Sequence, residues 1–534
     1  MPLVPLKPRK TPLIAAAGQT SQLFNNPPPT GGLNLRDPIS EMSNLDAIVL
    51  DNLIPRQQGV ELRKGSQVHC EGLEGGAVFK SVFGYNAGDN SKLFAAVGGD
   101  IYDVTDGTAP VVSVTGTGST TDQWWTIQFS TTSDNYLLAV SPGAGYWTYD
   151  PTNGWVDRTA LTVGLPTNVR TVGVWKQRIW FTCEDDADVY YMRNVNAIQG
   201  HADPFPMGSV LRSGGYVSAL FNWTIDAGFS VDDFLVVVGT EGDIGVWEGT
   251  DPSDAASFRI KGVWYIGPVP KYGVYFTPFG GDVMVLSVQG LIPMSRLVAG
   301  QYNEAAANTM PASKVQPVLA PLIASLKDSE AWNVLLVPKD SIMVIQLPPS
   351  AAGVYQQFVM NTITGAWCTF SSMNMVDATL YNGELYYSDP NGQIVHGLYG
   401  KYENADIDGA NGGAVEGDVQ CSFNNYGTPA QLKKFQMARP IFLSETTPSV
   451  KVLLNTQYAL NNVSGSPTFT DFDVGVWDNT NWNEAHFAGA INTYQAWVGV
   501  SGLGYYGSVR MKVKGLPGTI FTSMHVMSEL GGVM

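Results

Sequence analysis

Between residues 67 and about 400 the chain repeats one pattern. A short run of alternating apolar and polar positions meets a Gly- or Asn-bearing turn, and a second such run follows. Alternation with a period of two puts one face of an extended segment in a core and the other toward water, which predicts strands rather than helices. Paired runs fall at 92–97 and 100–104, 136–140 and 146–149, 172–175 and 179–182, and 234–238 and 244–248. Others lie at 274–277 and 283–288, at 333–337 and 341–347, and at 378–380, 384–388 and 393–396. The joints hold Gly98-Gly99, Gly280-Gly281, Asn382-Gly383 and Asn391-Gly392, dipeptides that favour tight hairpins. Units of this spacing suit the blades of a β-propeller, about six to eight of them. A set of stacked β-sandwiches fits the same pattern and stays open at this point.

A phrase repeated about two hundred residues apart sharpens the expectation. Tyr149-Asp150-Pro151-Thr152-Asn153-Gly154-Trp155 closes one alternating stretch, and Met360-Asn361-Thr362-Ile363-Thr364-Gly365-Ala366-Trp367 closes another. In both, an Asp or Asn leads a turn through side-chain to backbone hydrogen bonds, Gly takes the tight position, and Trp opens the next strand.

The rest of the chain divides around this region. Residues 1–66 read as an extended arm and a platform-like piece, with Pro27-Pro28-Pro29 favouring polyproline geometry and Asp37-Pro38 predicting the start of a short helix. The propeller-like region spans 67–402. It is interrupted near 303–326 by Ala-rich, non-alternating sequence that predicts one or two short helices. Residues 403–417 read as a glycine-rich, acidic linker, and 418–534 as a separate β domain of sandwich size. The fold class is therefore all-β: a propeller-like centre, an extended N-terminal arm and a C-terminal sandwich-like domain.

Composition agrees. Charged residues make up 14% of the 534, well below the usual quarter, while Gly (58), Tyr (23), Phe (22) and Trp (14) are abundant. Helical surfaces would need more Lys and Glu. The net charge of −17 leaves no basic stripe, so tight nucleic-acid binding is not expected; a surface that repels DNA would suit a conduit whose cargo must not stick, and acidity that serves only solubility fits equally. Cys70, Cys183, Cys368 and Cys421 are scattered without a C-x-x-C spacing, and free, mostly buried thiols are expected. No apolar run approaches the ~18 residues of a membrane helix. Residues 12–17 fall short of the roughly 7–15 apolar residues of an export signal, so export is not expected.

The search for chemistry assigns no catalytic, cofactor-binding or metal-binding residue. His69, His201, His396, His486 and His525 are isolated, and neither a Walker A loop nor a strand-linked G-x-G-x-x-G occurs. Gly499-Val500-Ser501-Gly502-Leu503 lacks the closing glycine of a nucleophile elbow. Asn404, Asp406, Asp408 and Gly409 imitate half of a calcium loop, but Val415 stands where the closing carboxylate belongs and Glu416 comes one place late. Glu184, Asp185, Asp186 and Asp188 form a second acidic cluster. Both read as solvated loops.

Three groups of motifs, in order, resemble one family. The first runs from Gly31-Gly32-Leu33-Asn34-Leu35-Arg36-Asp37-Pro38 through Met42 and Asp51-Asn52-Leu53-Ile54-Pro55 to Arg63-Lys64-Gly65-Ser66. The second is the stretch from Gln356 to Trp367. The third comprises Asn424 to Gly427, Lys433-Lys434, Arg439-Pro440, Trp477-Asp478, Trp482 and the end from Glu529 to Met534. Together they are similar to tail nozzle (tail hub, or tubular) proteins of short-tailed, podovirus-type bacteriophages. The resemblance implies a homo-hexameric ring, built on a propeller, below the portal and its adaptor. The ring would border tail fibres or spikes, line the DNA ejection channel and help retain the genome. It implies a virion protein assembled in the host cytoplasm, with no enzymatic activity and no cofactor. Two other classes stay open: a propeller glycan depolymerase, which needs converging carboxylates, and a receptor-binding tail module, in which Trp124-Trp125 could stack on sugars.

Overall fold

The structure, a computed structural model, describes residues 21–226, 231–301, 310–469 and 491–533. Among the described residues, six small and mostly antiparallel sheets stand as discrete blades of a propeller. The first four begin at the inner strands Ser81–Tyr85, Trp125–Ser130, Val169–Trp175 and Val217–Asp226; the first, second and fourth add three further strands outward, and the third adds four. A three-stranded blade starts at Phe276–Phe279, and another starts at Asp377–Tyr381. Between these last two, the ring position is filled by the hairpins from Asn333–Val337 to Trp367–Phe370, which belong to a larger sheet.

The ring closes by a device invisible to local pattern. The strand Ser66–Cys70 pairs with Ile394–Gly397 and completes the last blade, so the chain's two ends of the propeller are zipped together. The repeated phrase behaves as the sequence predicts. Asp150 Oδ1 accepts the amides of Thr152 and Asn153 at 2.9 and 2.8 Å, and Asn361 Oδ1 accepts those of Ile363 and Thr364 at 2.8 and 3.2 Å. Gly154 and Gly365 sit at φ +67° and +69°, and Trp155 and Trp367 enter the following strands. Trp155 packs on Phe94 and Tyr149 between blades. Trp367 is buried, and its Nε1 donates to the Pro311 carbonyl at 2.7 Å.

Beside the propeller lie two sheets that weave both ends of the chain together. The ten-stranded sheet continues from Trp367–Phe370 through Asp46–Asp51 and Gly413–Cys421 to Gly507–Gly515 and Ser449–Thr456. Gly32 lies against this junction: a Cβ there would meet the Trp367 amide nitrogen at 2.6 Å, so only glycine fits. The seven-stranded sheet is built on the long pair Gln431–Ser444 and Ile520–Val533, with Leu53–Pro55, Val60–Leu62 and Ser21–Asn26 from the N-terminal region. The described part of 418–534 is thus not self-contained; its strands share both sheets and one core with residues 21–62.

Three further expectations change. No helix follows Asp37-Pro38: the Asn34 side chain captures the amides of Arg36 and Asp37, and the Asp37 carboxylate is held by Arg36 and Asn34 instead of capping a helix. Region 403–417 is no free linker, because Tyr402–Glu403 pairs with the start of Gly413–Cys421 as a hairpin. Of the proposed arm, 1–20 lie outside the described residues, and Ser21–Asn26 is a paired strand. The helical interruption takes the form of Met294–Val298 and Gln316–Leu326; residues 302–309 lie outside the described ones. Among the described residues, no helix is long and apolar enough to cross a membrane.

Candidate functional site

The surface that invites explanation is the seven-stranded sheet. Its long central strand, Gln431–Ser444, alternates strictly enough to fix both faces. Lys433, Phe435, Ala438, Phe442 and Ser444 turn into the core, while Lys434, Met437, Arg439 and Leu443 turn outward. Lys433 is completely buried, yet its charge is not stranded. Its Nζ donates to the carbonyls of Thr428, Gln431 and Tyr505 at 2.6, 3.1 and 3.0 Å, which satisfies all three ammonium protons. Burial pulls its pKa down from the usual lysine range.

On the outward face Arg439 lies over the Trp497 ring, 4.7 Å from the centroid, and its Nη2 donates to His525 Nδ1 at 2.7 Å. That bond requires a free lone pair on Nδ1, so His525 is held neutral. Burial and the neighbouring Arg439 both lower the imidazole pKa, in agreement. The Arg439 Nε is buried and has no hydrogen-bond partner, an unmet donor at the centre of the face.

The two flanks of this sheet are unusual. On one side Ser21–Asn26 pairs with Ile520–Val533; it turns Phe24 inward onto Tyr426, at 5.1 Å, and leaves Leu23 55% exposed. On the other, Val498–Gly504 pairs with Gln431–Ser444 and leaves Leu503 60% exposed. Neither strand contains a charged residue or a proline, and among the described residues neither is paired on its outer side. Ile491 and Trp497 add exposed apolar surface nearby.

The residues singled out in the sequence do not converge. All four cysteines are free and buried, and burial pushes the thiols of Cys70, Cys183 and Cys421 up to about 12. His69 packs edge-on against Tyr386, and His201 sits beside Asp203. His396 is stacked between Tyr386 and Tyr399 at 4.4 and 4.1 Å, with its pKa lowered to about 4 by burial despite the Glu384 carboxylate. In the first acidic loop, Asp406 accepts from the Asn411 side chain and Asp408 from the Ala410 amide. In the second, Asp186 accepts from the Asp188 amide and the Tyr190 hydroxyl, and Glu184 faces Arg170. Among the described residues, no three His, Cys, Asp or Glu side chains gather as a metal would require. Trp124 is blade core, whereas Trp125 reaches toward the propeller axis. His486, Trp477, Asp478 and Trp482 lie outside the described residues. The unmet Arg439 donor and the bare flanks had no sequence signal beyond the absence of charge.

No protein-family model and no curated protein matches the chain. Solved structures do overlap it at low identity. The WD40 β-propeller domain of Doa1 matches at 10% identity and a TM-score of 0.36, covering 62% of this chain and 96% of that one. BBS1N, solved in complex with ARL6DN, matches at 13% identity and 0.29, over 41% and 66%. Apo AztD from Citrobacter koseri matches at 12% and 0.28, over 60% and 86%. The propeller arrangement itself is read from the strand pairing described above.

Proposed function

We propose that this chain is a structural subunit of a phage tail. It forms an oligomeric ring, a nozzle, that continues the DNA ejection channel below the portal and adaptor and helps retain the genome. The motifs at both ends and in the middle of the chain support the family. The structural observation that carries the reading is the pair of bare flanks on the seven-stranded sheet. Edge strands meant to face water normally carry charge, proline or a covering segment. Ser21–Asn26 and Val498–Gly504 carry neither charge nor proline and present Leu23 and Leu503 outward, which suits a surface covered by another copy. Because the flanks differ, contacts between them would be head-to-tail, the arrangement that generates rings.

In this reading the partners are five further copies of the chain in a homo-hexamer, the adaptor above, and fibres or spikes at the side. DNA passes without sequence-specific contact, for which a net charge of −17 is suited. The chain has no catalytic task, and it resides in the virion tail after assembly in the host cytoplasm. Quantitative mass spectrometry of purified particles, scaled against a dodecameric portal, tests the proposal. About six copies per particle are expected for a closed ring of this class. Absence from particles overturns it and redirects attention to glycan cleavage and receptor binding.

A further inference from the structure

The inner strands of five neighbouring ring members leave a cavity of about 360 Å³ near the propeller axis. That lies within the roughly 300–1,000 Å³ typical of small-molecule sites. Its walls are apolar and aromatic: Trp125, Val174, Leu220, Phe221, Phe276 and Val334. Phe221 and Phe276 stack with centroids 4.3 Å apart and planes 30° apart, and Trp125 approaches Phe276 at 5.8 Å. No ionisable side chain lines the space. Its polar share is confined to Thr126, Asn222 and Thr277, and the two threonine hydroxyls make no hydrogen bond among the described residues.

Three features bear on what such a space can hold. Water needs two to four polar partners to be stable in a cavity, and these walls offer few. A charged ligand would lose its hydration with nothing to replace it. Aromatic rings, in contrast, gain by stacking on other rings at 4.5–7 Å, and a threonine hydroxyl can meet one hydrogen-bonding group.

We infer that this cavity is a binding site for a small, neutral aromatic molecule carrying one or two hydrogen-bonding groups. It lies at the propeller axis and stands independently of the ring-forming role proposed above.

The test is calorimetric titration of the purified full chain with 2-naphthol. The expected result is saturable uptake of one equivalent, with a negative heat-capacity change from apolar burial. Val174→Phe fills the space and is expected to weaken uptake at least about tenfold. Thr277→Val keeps the volume, removes one hydroxyl and is expected to weaken uptake several-fold with the stoichiometry intact. Circular dichroism verifies that each variant is folded; should Val174→Phe not fold, Thr277→Val alone decides. No saturable uptake up to the solubility limit of 2-naphthol overturns the site. Uptake that is indifferent to both variants overturns it equally, since the probe is then bound elsewhere.

Discussion

Arg63 and Glu403, 340 positions apart in the chain, meet in a buried pair, with Nη2 2.5 Å from Oε2. Arg63 also donates to the Asn52 side chain and to the carbonyls of Lys64 and Ser371, so nearly its whole fork is engaged. It stands just before the strand that closes the propeller, and it ties that point to the hairpin at 402–421. Burial pushes the Glu403 carboxyl above its usual range while Arg63 opposes the shift.

Breaking that pair from one side is therefore costlier than removing both partners. Arg63→Met leaves a buried carboxylate with no counter-charge and is expected to cost roughly 3–5 kcal/mol. Arg63→Met combined with Glu403→Leu is expected to recover much of the loss. Urea unfolding of the wild type and both variants measures this; equal losses in the single and double variants would refute the pairing energetics.

A pH effect follows from Asp377, at the start of the last blade. Its Oδ2 accepts the Val82 amide at 2.8 Å, joining that blade to the first. Burial raises its pKa to about 6. A raised folded-state value means that the folded protein holds the proton more tightly than the unfolded chain. The stabilisation is complete below the unfolded value, near pH 4, and is lost as pH rises through about 6. Over that window the contribution is roughly 3 kcal/mol, at about 1.4 kcal/mol per pKa unit. Asp377→Asn keeps an acceptor for Val82 and removes the titration. Its stability relative to wild type is expected to rise between pH 4 and 7, as read from denaturation midpoints at matched ionic strength; a constant difference across that range would show that Asp377 does not titrate there.

At Asn361 one buried amide performs two tasks: Oδ1 shapes the turn, and Nδ2 donates to the Pro55 carbonyl at 2.8 Å. Asn361→Asp retains the turn acceptor but sets a buried carboxylate oxygen against the Pro55 carbonyl, whereas Asn361→Ala loses both bonds and strands the partners. The expected order of stability at neutral pH is wild type, then Ala, then Asp, with Ala about 2–3 kcal/mol below wild type. Gly365→Ala, forced to φ +69°, is expected to cost about 1 kcal/mol through strain alone. Thermal melts rank all four.

How much of this was legible in the sequence depends on how local the cause is. The turns at Asp150 and Asn361 and the hairpins at Gly98-Gly99 and Asn382-Gly383 are set by residues within a few positions, so pattern and turn chemistry found them. The pairing of Ser21 with Glu529, or of Ile394 with Cys70, is decided by partners hundreds of residues away, and no local signal encodes it. The misplaced helix at Asp37 has a different cause. Asp-Pro is a fair helix start, but Asn34 three residues earlier offers its own side chain to the same amides and wins. Trp125 and Phe276 likewise give no sequence hint that they meet, because only closure of the ring brings their blades together.

The bare flanks of the seven-stranded sheet supply the test closest to function. Leu23 and Leu503 point away from the core, so Leu23→Glu and Leu503→Lys should each leave the unfolding free energy of the single chain within about 0.5 kcal/mol of wild type. If another copy covers these strands, either charge buried at the contact carries a desolvation cost and the assembly dissociates. Mass photometry across a concentration series is expected to show an oligomer for wild type and a shift toward single chains for each variant. Combining the two variants in one mixture is the sharper arm. If the Ser21–Asn26 flank of one copy meets the Val498–Gly504 flank of the next, glutamate on one then faces lysine on the other, and partial re-association is expected. Variants that assemble like wild type would remove these flanks from the contact, whatever the particle copy number proves to be.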